Sequence, residues 1–131
     1  MYVLFVEDDA MNRRVVKDML SVVGAQMAEA ESAEIGLKMI EANDYDMVLM
    51  DLRMPGIDGL DAIGRIRARG DAKADLPLIV VTADMAAGLR DRCIDVGADD
   101  VIMKPVAMTK LLKAMSDTIS GTARGSRAAI I

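Results

Sequence analysis

The segment Tyr2-Val-Leu-Phe-Val-Glu-Asp-Asp9 decides the fold, because a short apolar run ends in three consecutive acidic residues. Runs of this length, rich in β-branched and aromatic side chains, are typical of buried strands. Two later segments have the same form: Asp46-Met-Val-Leu-Met-Asp51 ends in an acid, and Leu78-Ile-Val-Val-Thr82 ends in a hydroxyl. The sequence therefore predicts buried strands that carry polar residues at their carboxyl ends.

Helical segments separate these strands along the chain. Apolar residues recur at helical spacing in five segments, residues 11–23, 32–42, 60–69, 87–96 and 108–119. Weaker strands are predicted at residues 26–30 and 101–103, and a polar loop at residues 70–75. This alternation predicts an α/β fold, a doubly wound three-layer sandwich around a mostly parallel sheet, because right-handed crossovers return each strand in the same direction. The order of the strands stays open at this point.

The composition limits the possible functions. The 131 residues, 53% of them hydrophobic, fit a single domain with a substantial core. A net charge of −5 and an aromatic content of 2% argue against direct binding of nucleic acid. Histidine is absent, so any phosphoryl donor must be another molecule. A single cysteine, Cys93, and the lack of a long apolar run predict a soluble, cytoplasmic protein that does not enter the membrane.

Polar residues that end the strands should meet at one edge of the sheet, because parallel strands place their carboxyl ends together. These residues are Glu7, Asp8, Asp51, Thr82 and Lys104. Carboxylates crowded in this way repel one another until a proton or a cation intervenes. Carboxylate oxygens without histidine or thiolate ligands suit a hard cation, Mg²⁺ in particular. A carboxylate can also attack phosphorus while an ammonium and a hydroxyl stabilise the transferred group.

Several motifs, in this order, resemble those of the response regulator receiver family. They are Val6-Glu7-Asp8, Met50-Asp51, Met54-Pro55-Gly56, Asp58-Gly59, Val81-Thr82-Ala83 and Lys104-Pro105. The resemblance covers about residues 1–119 and implies a flavodoxin-like sandwich with five parallel strands, in the order 2-1-3-4-5, and five helices. It also implies two-component phosphorelay signalling, in which a sensor histidine kinase or a histidine phosphotransfer protein phosphorylates Asp51 in trans and switches a protein-binding surface.

The resemblance assigns a role to each residue of the acidic edge. Asp8, Asp51 and the backbone carbonyl of Arg53 would ligate Mg²⁺, and Glu7 would act mainly through water. Thr82 would bind a phosphoryl oxygen, and Lys104 would pair with the phosphoryl charge. A cis peptide bond before Pro105 is also implied.

One position departs from the family pattern. Val101 stands three residues before Lys104, where many receivers have a tyrosine or phenylalanine that rotates inward after phosphorylation. Valine has one side-chain torsion and a short reach, so it cannot replace a ring. We therefore expect the signal to travel through the loop at residues 83–88 and the fourth helix, with Gly88 easing the movement.

Two sets of charged residues, one pair and one arginine cluster, each allow two interpretations. Arg53 and Asp84 could pair over the site and limit the entry of water, or they could be an exposed pair of little weight. Arg65, Arg67 and Arg69 are most simply a solvated end of the third helix, favoured by the helix dipole, although a docking role is possible.

Other readings of the chain remain to be separated. A receiver-like interaction module that is never phosphorylated is the main alternative. A phosphoaspartate hydrolase would need an acid where Arg53 stands, and a flavodoxin would need aromatic rings and a hydroxyl-rich phosphate loop. Residues 120–131 are expected to form a flexible tail after a receiver domain at 1–119. We expect a monomer or weak dimer, and a complete single-domain regulator somewhat more than a fragment.

Overall fold

The computed structural model describes residues 1–53, 56, 58–83 and 86–121 of the chain. A five-stranded sheet forms its centre, with all strands parallel and in the order β2-β1-β3-β4-β5. The predicted flavodoxin-like fold and strand order are therefore confirmed. The strands are β1 (Tyr2–Val6), β2 (Gln26–Ala30), β3 (Met47–Met50), β4 (Leu78–Thr82) and β5 (Asp100–Met103).

Five α-helices connect and follow the strands. They are α1 (Ala10–Val22), α2 (Ala33–Ala42), α3 (Gly59–Arg67), α4 (Leu89–Val96) and α5 (Met108–Ser120). Side chains cap the first three helices, because Asp9, Ser32 and Asp58 each accept a backbone N–H of the first turn. Within the described residues, no helix combines the length and the apolar character needed to cross a bilayer.

Two apolar clusters lie on opposite faces of the sheet, since successive side chains of a strand point to opposite sides. Val48 and Met50 belong to the cluster covered by α2, α3 and α4. Met47 and Leu49 belong to the cluster covered by α1 and α5. All four side chains of β3 are fully buried. The molecule is thus the predicted three-layer sandwich, with β3 at the centre of both cores.

The fourth helix is shorter than predicted. It starts at Leu89 instead of residue 87, because Gly88 precedes it with a φ of 77°, in the left-handed region outside helical geometry. The predicted loop at residues 70–75 also contains a 3₁₀ helix, Ala72–Asp75, which the Asp71 side chain caps at the Lys73 N–H.

The predicted solvated arginine cluster at the end of α3 is wrong for Arg67. Its side chain is only 14% exposed and pairs with the buried Asp99 at 3.3 Å. The guanidinium also donates to the backbone carbonyls of Ala74, Leu76 and Gly97 at 2.7–2.8 Å. Arg67 therefore joins α3 to the end of α4 and to the segment before β4.

Asp99 completes this buried pair. Its carboxylate is 2% exposed and accepts the N–H of Leu78 at 2.8 Å. Arg65, by contrast, is 56% exposed and pairs with Asp61 within the helix, as expected of a solvated residue.

The sequence predicts a boundary after residue 119, between the domain and a flexible tail. Helix α5 continues to Ser120, and Gly121 caps it with a φ of 82°. Residues 122–131, most of the expected tail, lie outside the described residues. The division into domain and flexible tail stays a prediction.

Candidate functional site

Adjacent strands bring the first two acidic segments together. β1 and β3 pair in parallel with Val6 opposite Met50, so Glu7 and Asp51 follow at the same level of the sheet. The N–H of Asp51 donates to the carbonyl of Val6 at 3.0 Å, which extends the ladder by one residue. Side-chain oxygens of Glu7, Asp8 and Asp51 all lie within 4.8 Å of one another. The predicted meeting of these acids is what the described residues show.

Lys104 reaches the same point from the end of β5. Its Nζ lies 2.5 Å from Oε1 of Glu7 and 3.2 Å from Oδ2 of Asp51. Its backbone N–H donates to the carbonyl of Thr82 at 2.8 Å, which fixes where the side chain starts. The Lys104–Pro105 peptide bond is cis, as the resemblance implied. One ammonium therefore contacts two of the three carboxylates.

Burial controls the electrostatics of the cluster. Glu7 is 1% exposed. Burial, and then hydrogen bonding with Asp51, raise its pKa from 4.5 to about 7, although Lys104 acts in the opposite direction. Burial alone would lower the pKa of Lys104, but the hydrogen bond and charge of Glu7 and the charge of Asp51 outweigh it and raise that pKa. With a pKa of about 7, Glu7 is only partly ionised at neutral pH, and a cation bound nearby would favour its charged form.

Thr82 and Arg53 flank Asp51 on neighbouring segments. Thr82 ends β4 and is fully buried. The backbone N–H of Arg53 donates to Oδ1 of Asp51 at 3.2 Å, and this hydrogen bond restrains the carboxylate. Asp84, the expected partner of the Arg53 side chain, lies outside the described residues.

The donor set fits a divalent hard cation. Three carboxylates offer oxygen atoms close together, and Lys104 contacts two of them. Mg²⁺ is held in proteins by one or two carboxylates together with water. Asp8 is exposed, so the cluster is open to solvent on one side.

One residue near the cluster was missed by sequence reasoning. Arg13, on α1, donates from Nη1 to the backbone carbonyl of Glu7 at 2.7 Å. Its Nε donates to Oε1 of Glu29, on β2, at 3.0 Å. The helical pattern gives no signal that separates Arg13 from its neighbour Arg14, whose side chain is 80% exposed.

Comparison with known sequences agrees with this geometry. The family model of the response regulator receiver domain matches residues 3–116. The response regulator MprA of Mycobacterium sp. (strain KMS) is 36% identical over 113 residues, 86% of this chain and 48% of that protein. The sensor histidine kinase RcsC of Salmonella typhi is 34% identical over 116 residues, 88% of this chain and 12% of that protein. The chain thus spans less than half the length of these relatives.

A solved structure is also similar. It is the receiver domain of sensor histidine kinase PA1611 from Pseudomonas aeruginosa PAO1, which has a magnesium ion coordinated in its active site cleft. The identity is 30% and the TM-score 0.82, with 91% of this chain and 97% of that chain covered. Fold, acidic cluster and family match agree, and the chain belongs to the response regulator receiver domain family of two-component signalling.

Proposed function

We propose that Asp51 accepts a phosphoryl group from a phosphohistidine donor and that this modification switches a protein-binding surface. The observation that carries the proposal is the position of Asp51 between two other acids and the ammonium of Lys104. A carboxylate in this environment can be a nucleophile toward phosphorus, because the charges around it stabilise the transferred group.

Each residue of the site then has one task. One carboxylate oxygen of Asp51 forms the bond to phosphorus while the phosphorus–nitrogen bond of the donor breaks and the donor imidazole leaves. Lys104 pairs with a phosphoryl oxygen, and the Thr82 hydroxyl donates to another. Hydrolysis by water would later return the Asp51 carboxylate and inorganic phosphate, so the domain assists its own phosphorylation and dephosphorylation without being an enzyme for another substrate.

The proposed cofactor is Mg²⁺. Asp8, Asp51 and the backbone carbonyl of Arg53 would hold it, with Glu7 acting mainly through water. Bound there, the ion would neutralise charge on the transferred phosphoryl group. The arrangement of the three carboxylates supports this assignment, and the magnesium ion in the similar Pseudomonas aeruginosa receiver is in keeping with it.

Phosphorylation is proposed to act through α4. Val101 is half-buried in the cluster beneath α4, and its carbonyl accepts from Nη1 of Arg90 at 3.3 Å. Nη2 of Arg90 also pairs with Asp100 at 2.9 Å, so one arginine links α4 to β5 at the position without an aromatic ring. Free and beryllofluoride-bound structures with the same backbone at residues 83–89 would contradict this route.

The proposed partners follow from the family. A sensor histidine kinase or a histidine phosphotransfer protein would supply the phosphoryl group in trans, and a downstream protein or an effector domain would read the switched surface. Direct binding of nucleic acid or membrane is not part of the proposal, and a monomer or weak dimer is expected. The buried Cys93, the one cysteine of the sequence, is compatible with the proposed cytoplasmic location.

Intact-protein mass spectrometry tests the acceptor directly. Acetyl phosphate or a matched phosphorylated donor, with Mg²⁺, should add about 80 Da to the protein, as expected for one phosphoryl group. Asp51→Asn should abolish the addition, whereas Asp44→Asn should not, because the Asp44 side chain is 99% exposed and precedes β3, at the opposite end of that strand from Asp51. The alternative, an interaction module that is never phosphorylated, predicts no added mass in the folded wild-type protein and no binding of beryllofluoride.

A further inference from the structure

Arg13 is oriented toward the acidic cluster although it belongs to a surface helix. Its side chain is 13% exposed, whereas that of Arg14 is 80% exposed. The guanidinium extends from the first turns of α1 back over the end of β1, where it meets the Glu7 carbonyl at 2.7 Å. Burying an arginine costs side-chain entropy and hydration, so contacts of this quality must compensate for it.

The Glu7 carbonyl is an informative target. It belongs to the peptide unit that joins Glu7 to Asp8, so a hydrogen bond to it restricts the backbone torsions from which both acidic side chains start. The N–H of Glu7 is already held by the carbonyl of Ala30 on β2 at 2.9 Å. With Arg13 holding the carbonyl, both polar groups of the Glu7 backbone are fixed.

Glu29 fixes the arginine in turn. It lies on β2 opposite Phe5, and its Oε1 accepts from Nε of Arg13 at 3.0 Å. This pairing also offsets the positive charge of the guanidinium, which would otherwise oppose a cation bound nearby. Lys17 contacts the other oxygen of Glu29 at 3.6 Å and is 56% exposed.

We propose that Arg13 is a positioning residue, which holds Glu7 and Asp8 in the geometry that binds a divalent cation while Glu29 orients its guanidinium. This inference rests on the proposed function of the site. Arg13 acts through the backbone of Glu7 and touches neither the cation nor the phosphoryl group. Groups that orient the ligands of a metal do not touch it, yet their removal typically lowers metal affinity by about 10–100-fold.

Mg²⁺ titrations of the full, unphosphorylated chain test the inference, with amide chemical shifts near Asp8 and Asp51 as the signal. Arg13→Met should weaken Mg²⁺ binding roughly tenfold, as removal of an orienting group typically does. Arg13→Lys should also weaken it, because an ammonium keeps the charge but lacks the planar fork that reaches both partners. Glu29→Gln should have a smaller effect in the same direction, and the control Arg14→Met should have none.

The outcomes separate this inference from the function on which it rests. A purely electrostatic role would give tighter binding in Arg13→Met and unchanged binding in Arg13→Lys, and either result would overturn the proposal. Thermal unfolding of each variant shows that the titrated protein is folded, and Arg13→Lys remains available if Arg13→Met does not fold. Absence of Mg²⁺ binding in the wild type would instead refute the proposed function.

Discussion

Stability of the metal-free protein should fall as pH rises from 5 to 8, because of Glu7. Its pKa is about 7 in the fold against 4.5 ordinarily, so between these values the folded protein holds a proton that the unfolded chain has lost. A raised pKa stabilises the fold fully below pH 4.5, and this stabilisation disappears as pH rises through about 7. The difference between about 7 and 4.5 is about 2.5, and at about 1.36 kcal/mol for each pKa unit it corresponds to a loss of about 3 kcal/mol.

Urea unfolding at a series of pH values, with a chelator present, measures this loss. The chain has no histidine, so few other groups titrate in this window; ordinary carboxyls titrate below about pH 5 and lysines above about pH 9. Glu7→Gln cannot ionise and should give a nearly flat profile, with higher stability than the wild type at pH 8. Equal slopes in the two proteins would refute the reasoning. Addition of Mg²⁺ at pH 8 should raise the free energy of unfolding of the wild-type protein again, because a bound cation offsets the carboxylate charge that a proton neutralises at low pH.

Three further predictions concern the structure around the site. A Cβ on Gly59 would lie 2.7 Å from the backbone oxygen of Asp51, whereas one on Gly64 would meet nothing within 4 Å. In urea unfolding, Gly59→Ala should therefore lower the free energy of unfolding by about 1–3 kcal/mol, and it should also slow phosphorylation, whereas Gly64→Ala should raise that free energy by about 0.5–1 kcal/mol. Similar effects of the two substitutions would count against the close approach at Gly59. Arg67→Met leaves the 2%-exposed Asp99 without its cation, so it should destabilise the fold by about 3 kcal/mol or more, and a loss below about 1 kcal/mol would show that the pair is dispensable. Arg90→Gln should change stability by less than about 1 kcal/mol, since Arg90 is 60% exposed, but should speed hydrogen exchange of α4 amides; unchanged exchange would show that this arginine does not restrain α4.

The strands and the meeting of the acids could be predicted because they depend on local patterns. β1 and β4 have the predicted limits, since each is an apolar run closed by a polar residue. Parallel strands place their carboxyl ends at one edge whatever the strand order, so Glu7, Asp51 and Lys104 could be expected along that edge. The contact between Glu7 and Asp51 also needs β1 beside β3, an order that only the resemblance implied. The roles assigned to these residues in phosphoryl transfer stay predictions.

The buried polar contacts could not be predicted in the same way. Asp99 and Asp100 are neighbours, yet Asp99 is 2% exposed beside Arg67 while Asp100 is 20% exposed beside Arg90. Identical residue types carry no information on which of them faces inward at the start of a short strand. Arg13 and Arg14 pose the same problem, because the partners of Arg13 lie outside α1: Glu29 is on β2 and Glu7 directly follows β1.

Oxidation of the two methionines of β3 should report how often the sheet opens. Met47 and Met50 are fully enclosed, on opposite sides of the sheet, whereas Met11 is 71% exposed. Peroxide converts accessible thioethers to sulfoxides, so Met11 should be consumed promptly and Met50 only during rare excursions that expose the middle strand. The ratio of the oxidation rates of Met50 and Met11 therefore reports how often β3 becomes exposed to solvent, directly beside Asp51, the proposed phosphorylation site.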